Sequence, residues 1–324
     1  MSLSTGSMLD AIASELQEFE RRLRETVHDD IGPMSEAMEH IVHAGGKRLR
    51  PALVMLSGLL GKPDIDRLYN LAMGIEFIHT ATLIHDDLID DAETRRGLAT
   101  IHAMLGSDPA IIVGDYYFAK GANLCSSTGV PKINSVVSAA VMTICMGELL
   151  QLTSQRDYDQ PLESYYRKIE RKTAALLAAS TYSGAILGGL DEPRQQAMQR
   201  YGRCLGTAFQ IADDVLDYVA TADQLGKPVG ADLRQGTITL PLMYALKDGK
   251  VAPELRQILS DDALTDSQYE EVVRLVRDSS AVTRAERDAH DFADKARAEL
   301  AAFAPSRERE TLAGLCDYVV ERRR

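Results

Sequence analysis

Cysteine is scarce and scattered in this chain. The four residues, Cys125, Cys145, Cys204 and Cys316, show no CxxC spacing, which points away from a zinc site and from a disulfide framework and leaves them as core thiols. Positive charge is also in short supply, with 36 Lys and Arg against 48 Asp and Glu and a net charge of -12. That balance argues against a broad nucleic-acid surface and against electrostatic docking on anionic lipid, so any basic group works locally. Period-2 alternation is missing, and no sheet is expected. The opening MSLSTGS lacks the charged start and apolar run of a signal peptide; residues 1–8 read as a leader or flexible terminus, and the protein as cytoplasmic. One stretch, Ala174 to Leu190, approaches the length of a membrane span. Its Ser180, Thr181, Tyr182 and Ser183, interleaved with Gly184, Gly188 and Gly189, read as a tightly packed helix inside a large helical protein, with no transmembrane segment.

Helical periodicity fills the rest of the chain. Leu9, Ile12, Leu16, Phe19, Leu23 and Val27 define a first amphipathic helix ending before Gly32-Pro33, and a second pattern over Met34 to His43 stops at Ala44-Gly45-Gly46. A third helix begins near Lys47, and a long one after Gly61-Lys62-Pro63 carries Leu68, Leu71, Ile75, Ile78 and Leu83. Helical patterns continue over Ala110 to Ser126, Asn134 to Gln155, Ser164 to Leu187 and Gln195 to Val219. Without linkers or low-complexity segments, residues 1–324 read as one all-α domain, large enough to bury a sizeable core.

The long helix runs into HTATLIHDDLIDDAETRRG, His79 to Gly97. Asp86 and Asp90 are i,i+4 neighbours and Asp87 and Asp90 i,i+3 neighbours, so three carboxylates crowd one end of one face. Their repulsion is relieved by a hard cation, and oxygen-only ligation suits Mg²⁺. Arg95 and Arg96 follow at once, and guanidinium forks match phosphate oxygens. An acidic run is by itself more often a solvated helix end. This one recurs, in GTAFQIADDVLD, as Asp213, Asp214 and Asp217, with Gln210 on the same face.

A second anion pocket is expected at GGKRLRP, Gly45 to Pro51, where glycines expose N–H groups at a helix start and Lys47 and Arg50 lie a turn apart; a C-cap with a solvated basic turn is the plain alternative. His79 precedes Asp86 by two turns, which places its imidazole on the metal side of the helix. Lys172 and Thr173 interrupt an apolar approach, and a buried lysine calls for a partner such as a diphosphate, unless it snorkels to the surface. Facing aspartate helices can bracket a diphosphate through about two or three bridging Mg²⁺, with Arg95, Lys172 and Lys227 completing the neutralisation. Such a clamp makes diphosphate a leaving group, and apolar helix faces shield the carbocation. A second anion site at Lys47, Arg50, His79 and Arg96 implies the joining of two phosphorylated molecules.

The chain resembles the trans-prenyltransferase (polyprenyl diphosphate synthase) family, long-chain type, and within it the catalytic subunits of heptaprenyl diphosphate synthases. GGKRLRP, FIHTATLIHDDLIDDAETRRG, Lys172-Thr173, GTAFQIADDVLD and GKPVGADLRQGTITLP carry the resemblance, in family order over nearly the whole chain. It implies a single large helical bundle of the isoprenoid synthase type with a central cavity. Asp86, Asp87, Asp90, Asp213, Asp214 and Asp217 would hold Mg²⁺ on the allylic diphosphate, which Arg95, Lys172, Thr173, Gln210 and Lys227 also contact. Gly46, Lys47, Arg50, His79 and Arg96 would hold isopentenyl diphosphate. The implied assembly is a homodimer or a heterodimer with a small partner subunit.

The pattern departs from the family at Thr237, where many members carry lysine, and at Leu98-Ala99 after the arginines. The uncharged residue removes a cation near the allylic site, and keeps open a catalytically idle or partner-dependent subunit. A terpene cyclase would lack the second phosphate pocket. Product length follows from the residues before Asp86: short-chain members place an aromatic residue four or five positions earlier, where this chain has Ala81 and Thr82. From Asp86 back to Ile75 is about 16 Å of helix. With Ile78 also on that path and no aromatic plug, Phe118 or Met142 would form a deeper floor, and a hexaprenyl to decaprenyl product is expected.

Overall fold

The computed structural model describes residues 9–27, 37, 39–41, 45–220, 229–261 and 263–321. The expected second helix, Met34 to His43, falls largely outside them. A 3₁₀ turn, Asp10–Ile12, leads into α1 (Ala13–Val27); α2 (Leu49–Leu59) and α3 (Ile65–Ile89) follow. After a two-residue hairpin come α4 (Ile101–Leu105), α5 (Ser107–Ser127), α6 (Pro131–Thr153), α7 (Leu162–Ile169), α8 (Ala175–Leu187) and α9 (Glu192–Val219). The C-terminal part comprises α10 (Ala231–Arg234), α11 (Leu240–Ala245), α12 (Ala252–Leu259), α13 (Asp266–Asp278), α14 (Ala281–Glu299) and α15 (Arg307–Glu321). The chain is all-α, as its periodicity predicts.

Two helices fix the frame. Helix α3 starts where the Asp64 side chain accepts from the N–H groups of Asp66 and Arg67, and α9 where Asp191 accepts from Arg194 N–H beside Pro193. Helix α3 packs along α5, and α9 is wedged between α8 and α14. The α3–α5 crossing is close because it is made of glycines: a Cβ on Gly121 would lie 2.7 Å from the Gly74 carbonyl oxygen. One buried cluster gathers the first half of the chain and α15, and a second gathers α7, α9, α11, α13 and α14. The ends of α3 and α9 that bear the aspartates open beside this core.

Two local features depart from the sequence reading. Thr94–Arg95 and Leu98–Ala99 pair antiparallel around Arg96 (φ 54°) and Gly97 (φ 79°), although no sheet was expected. Both turn residues lie in the left-handed region that such a tight hairpin requires. Between α7 and α8 the helix widens to a π turn, Glu170–Ala174, which carries Lys172 and Thr173. Gly147 of α6 lets that turn approach, since a Cβ there would sit 2.7 Å from Lys172 N. The apolar stretch after Ala174 is indeed a packed helix, buried throughout most of α8. Among the described residues, Pro131–Thr153 is the helix long and apolar enough to cross a membrane.

Candidate active site

At the C-terminal end of α3, Asp86 and Asp90 open onto a cavity of about 340 Å³ shared with Lys172 from the π turn and Gln210, Asp213 and Asp214 from α9. Asp87 turns to the other side of the helix. It is buried and held by Arg95, whose Nε lies 2.8 and 2.9 Å from its two oxygens. Asp217 is buried as well, its carboxylate accepting from Asp232 N–H at 3.2 Å and its carbonyl from Gly230 N–H at 3.0 Å. Four of the six aspartates therefore share one cavity, and two brace its walls.

Burial pushes the Asp86 carboxyl up to about 6, with the charges of Glu148 and Asp90 adding to it against Lys172 and Arg95. Asp90 is raised chiefly by burial too, and Asp214 is raised to about 7 by burial and by Asp232. Among the described residues no three ligating side chains already form a closed metal cluster. The cavity instead offers oxygen donors from two facing helices and an excess of negative charge. This donor set fits a hard divalent cation that keeps some waters and shares phosphate oxygens, as Mg²⁺ does.

Polar side chains tie the walls together. Thr173 Oγ1 donates to Gln210 Oε1 (2.7 Å), Gln210 Nε2 to Asp214 Oδ1 (2.9 Å), and Tyr165 OH to Asp214 Oδ2 (2.6 Å). Lys172 Nζ lies 2.6 Å from Glu148 of α6, so the lysine has a carboxylate partner in the protein rather than snorkelling outward. Glu148, Tyr165, Lys168 and Asp232 were not singled out from the sequence. Asp232 sits inside GADLRQGT and Lys168 one turn before Lys172, signals too short to separate from an ordinary polar helix face. Burial pulls the Lys168 ammonium below its usual range, aided by Lys172 and opposed by Asp214 and Asp232. Lys227 lies outside the described residues.

A second cavity adjoins the first, and Leu83 and Arg95 line both. The hairpin turn sends Arg96 into it, where the guanidinium donates to the Gly45 carbonyl. Gly46 leaves the space that Arg96 needs, since a Cβ there would stand 3.1 Å from Nη1. Arg48, left-handed at φ 48°, is bound by Glu20 at 2.5 Å and by buried Glu76 at 2.8 Å, which anchors the start of α2. Arg50 Nε is buried with no hydrogen-bond partner among the described residues, and burial with Arg96 nearby lowers its guanidinium to about 10. Lys47 lies exposed on the same loop.

His79 faces these arginines, and burial together with Arg50 and Arg96 holds it well below its ordinary 6.5, hence neutral. It lines this cavity with Asp87 and Arg96, the second anion site in which the sequence also grouped it, rather than the four-aspartate cavity towards which helical phase pointed. Axial height, which phase ignores, separates the two cavities along one stripe.

The candidate chain-length residues lie on α3. Ile78 packs on Gly121, Ala81 has no exposed surface, and Thr82 Oγ1 donates to the His79 carbonyl at 2.7 Å. Phe118 stands beside His85, ring centroids 5.9 Å apart. Met142 does not form a floor in this chain: it is 65% exposed on the outer face of α6.

Two adjoining anion cavities at the ends of paired aspartate helices agree with what the whole sequence matches. The polyprenyl synthetase family matches residues 32–276. The chain belongs to the polyprenyl synthetase family. It is 38% identical to heptaprenyl diphosphate synthase component 2 of Bacillus subtilis (strain 168) over 95% of this chain and 88% of that protein. Octaprenyl diphosphate synthase of Escherichia coli (strain K12) is 36% identical over 96% and 97%. The fold superposes with a TM-score of 0.94 on a polyprenyl synthase from Caulobacter crescentus CB15 solved with calcium and isoprenyl diphosphate, 35% identical, covering 100% of this chain and 99% of that one. These polyprenyl synthetase relatives are prenyl diphosphate synthases, and the chain is an enzyme of that class.

Proposed function

We propose that the chain is a Mg²⁺-dependent synthase that joins isopentenyl diphosphate head-to-tail to an allylic prenyl diphosphate and releases a long all-trans polyprenyl diphosphate. The observation that carries this is the pair of adjoining cavities with a shared wall at Leu83 and Arg95. In the carboxylate-lined cavity, Asp86, Asp90, Asp213 and Asp214 would hold Mg²⁺, while Asp87 and Asp217 brace Arg95 and the loop before α10. Bound there, Mg²⁺ supplies charge neutralisation of the diphosphate leaving group. Lys172, Thr173, Gln210 and Arg95 orient that diphosphate, and Lys227 belongs to the same group by resemblance. At the second cavity, Arg96 and neutral His79 on its wall, with Arg50 and its spare Nε–H, Lys47 and the Gly46 backbone beside it, bind isopentenyl diphosphate.

The reaction breaks the allylic C–O bond, forms a C–C bond to the isopentenyl double bond, and loses one proton. Leu83, on the wall between the cavities, presents an apolar surface to the cation and keeps water away. The tail is then expected to run back along α3, past Thr82, Ala81 and Ile78, positions at which this chain carries no aromatic residue. Family membership fixes the reaction class, and these small residues favour the long product.

A second reading, a partner-dependent subunit, draws on the outer face of the α5–α6 hairpin. Ile112, Met142 and Leu149 are 61%, 65% and 62% exposed there, with Ile111 and Met146 beside them. Monomeric proteins seldom leave such a surface uncovered. A second copy or a small partner subunit would cover it. Incubation of the purified chain with Mg²⁺, farnesyl diphosphate and labelled isopentenyl diphosphate, followed by chromatography of the dephosphorylated products, tests both readings. A ladder ending at one long polyprenol establishes a self-sufficient long-chain synthase. No incorporation with any allylic primer moves the assignment to a partner-dependent or idle subunit.

A further inference from the structure

The last motif, GKPVGADLRQGTITLP, carries Thr237 where the family pattern leads one to expect lysine. A missing cation matters in a cavity lined by five carboxylates that has to accept a diphosphate. The same cavity, however, contains a lysine that the motif reading does not assign. Lys168 of α7 is 5% exposed, and its Nζ donates to the carbonyl of Ile238, the residue after Thr237, at 3.2 Å. Lys168, Thr237, Lys172 and Asp214 line this cavity together with Asp86 and Asp90.

A buried ammonium is costly, and the Ile238 carbonyl together with the nearby charges of Asp214, Asp232 and Glu148 offsets that cost only in part. It becomes favourable once an anion enters the cavity. We propose that Lys168 is a substrate-binding residue that replaces the absent lysine at position 237, its ammonium reaching the allylic diphosphate from α7 instead of from the loop before α11. The cation has changed its element of origin while keeping its place beside the Thr237-Ile238 backbone. This inference rests on the prenyl synthase reading above.

The test uses Lys168→Gln, which retains a donor towards Ile238 and removes the charge. Loss of a charge-assisted contact predicts a rise of about 10- to 100-fold in KM for farnesyl diphosphate, with KM for isopentenyl diphosphate little changed. Calorimetric titration with inorganic pyrophosphate and Mg²⁺ should show a matching loss of affinity. Adding Thr237→Lys to that variant should restore both quantities. Unchanged constants in Lys168→Gln overturn the proposal, and so does a loss that Thr237→Lys does not repair, since a purely structural lysine is not replaced from another element.

If the glutamine variant fails to fold, Thr237→Lys in the otherwise native chain decides. A place already served gains less than about twofold in pyrophosphate affinity, whereas a gain of about tenfold or more shows that the charge was absent. A native chain that incorporates no isopentenyl diphosphate with any primer counts against the synthase reading. A fully active chain indifferent to Lys168 removes only this inference.

Discussion

Asp86 and Asp213 face one cavity from different helices, and each carboxylate is expected to share in neutralising the same diphosphate. Removing either should cost about 10²- to 10³-fold in turnover, the range seen when one charged transition-state contact is lost. Steady-state incorporation of labelled isopentenyl diphosphate by Asp86→Ala and Asp213→Ala measures this, and near-normal rates in either would refute the shared site. His79 gives a prediction of a different kind. Its folded pKa lies well below 6.5 because it is buried beside Arg50 and Arg96, while the unfolded chain takes up that proton near the ordinary value. Its contribution to stability is therefore complete above pH 6.5 and is lost as pH falls through 6.5 towards the folded pKa. Urea denaturation on either side of that pH should show a slope approaching about one proton, which His79→Gln removes. An unaltered slope would mean that other groups set the acid limit.

At the scale of elements, the α3–α5 crossing and the π turn determine where the chemistry stands. Gly121→Ala would gain about 1 kcal/mol of helix propensity. Its Cβ would nonetheless meet the Gly74 carbonyl 2.7 Å away, and backbone cannot move aside as a side chain does. A net loss of about 1–2 kcal/mol is expected, read as a lower thermal midpoint; a stabilised variant would show that the crossing is looser than its geometry. Ala81→Phe on the same crossing should shorten the polyprenol product by placing an aromatic ring five residues before Asp86. An unchanged product distribution would move the chain-length floor elsewhere.

For the whole molecule, the proposed assembly rests on the apolar outer face of α5 and α6. A charge at its centre should keep copies or partners off without touching the core, since Leu149 is 62% exposed. Leu149→Glu is predicted to shift the mass measured by light scattering towards a single chain. A native protein that is already one chain at the same concentration overturns self-association through this face.

The helical class, both aspartate clusters, the basic start of α2 and the Lys172-Thr173 pair were legible in the sequence because each is local: helical phase and residue spacing suffice. Tertiary structure divided the six aspartates, since Asp87 turns to Arg95 and only Asp86, Asp90, Asp213 and Asp214 face the common cavity. It also opened a π turn under Lys172, and brought Lys168 and Glu148 into the site from helices whose sequences carry no distinctive motif. Those facts depend on which helices meet and at what height, and on the charges that burial forces together. Periodicity along a single chain contains neither.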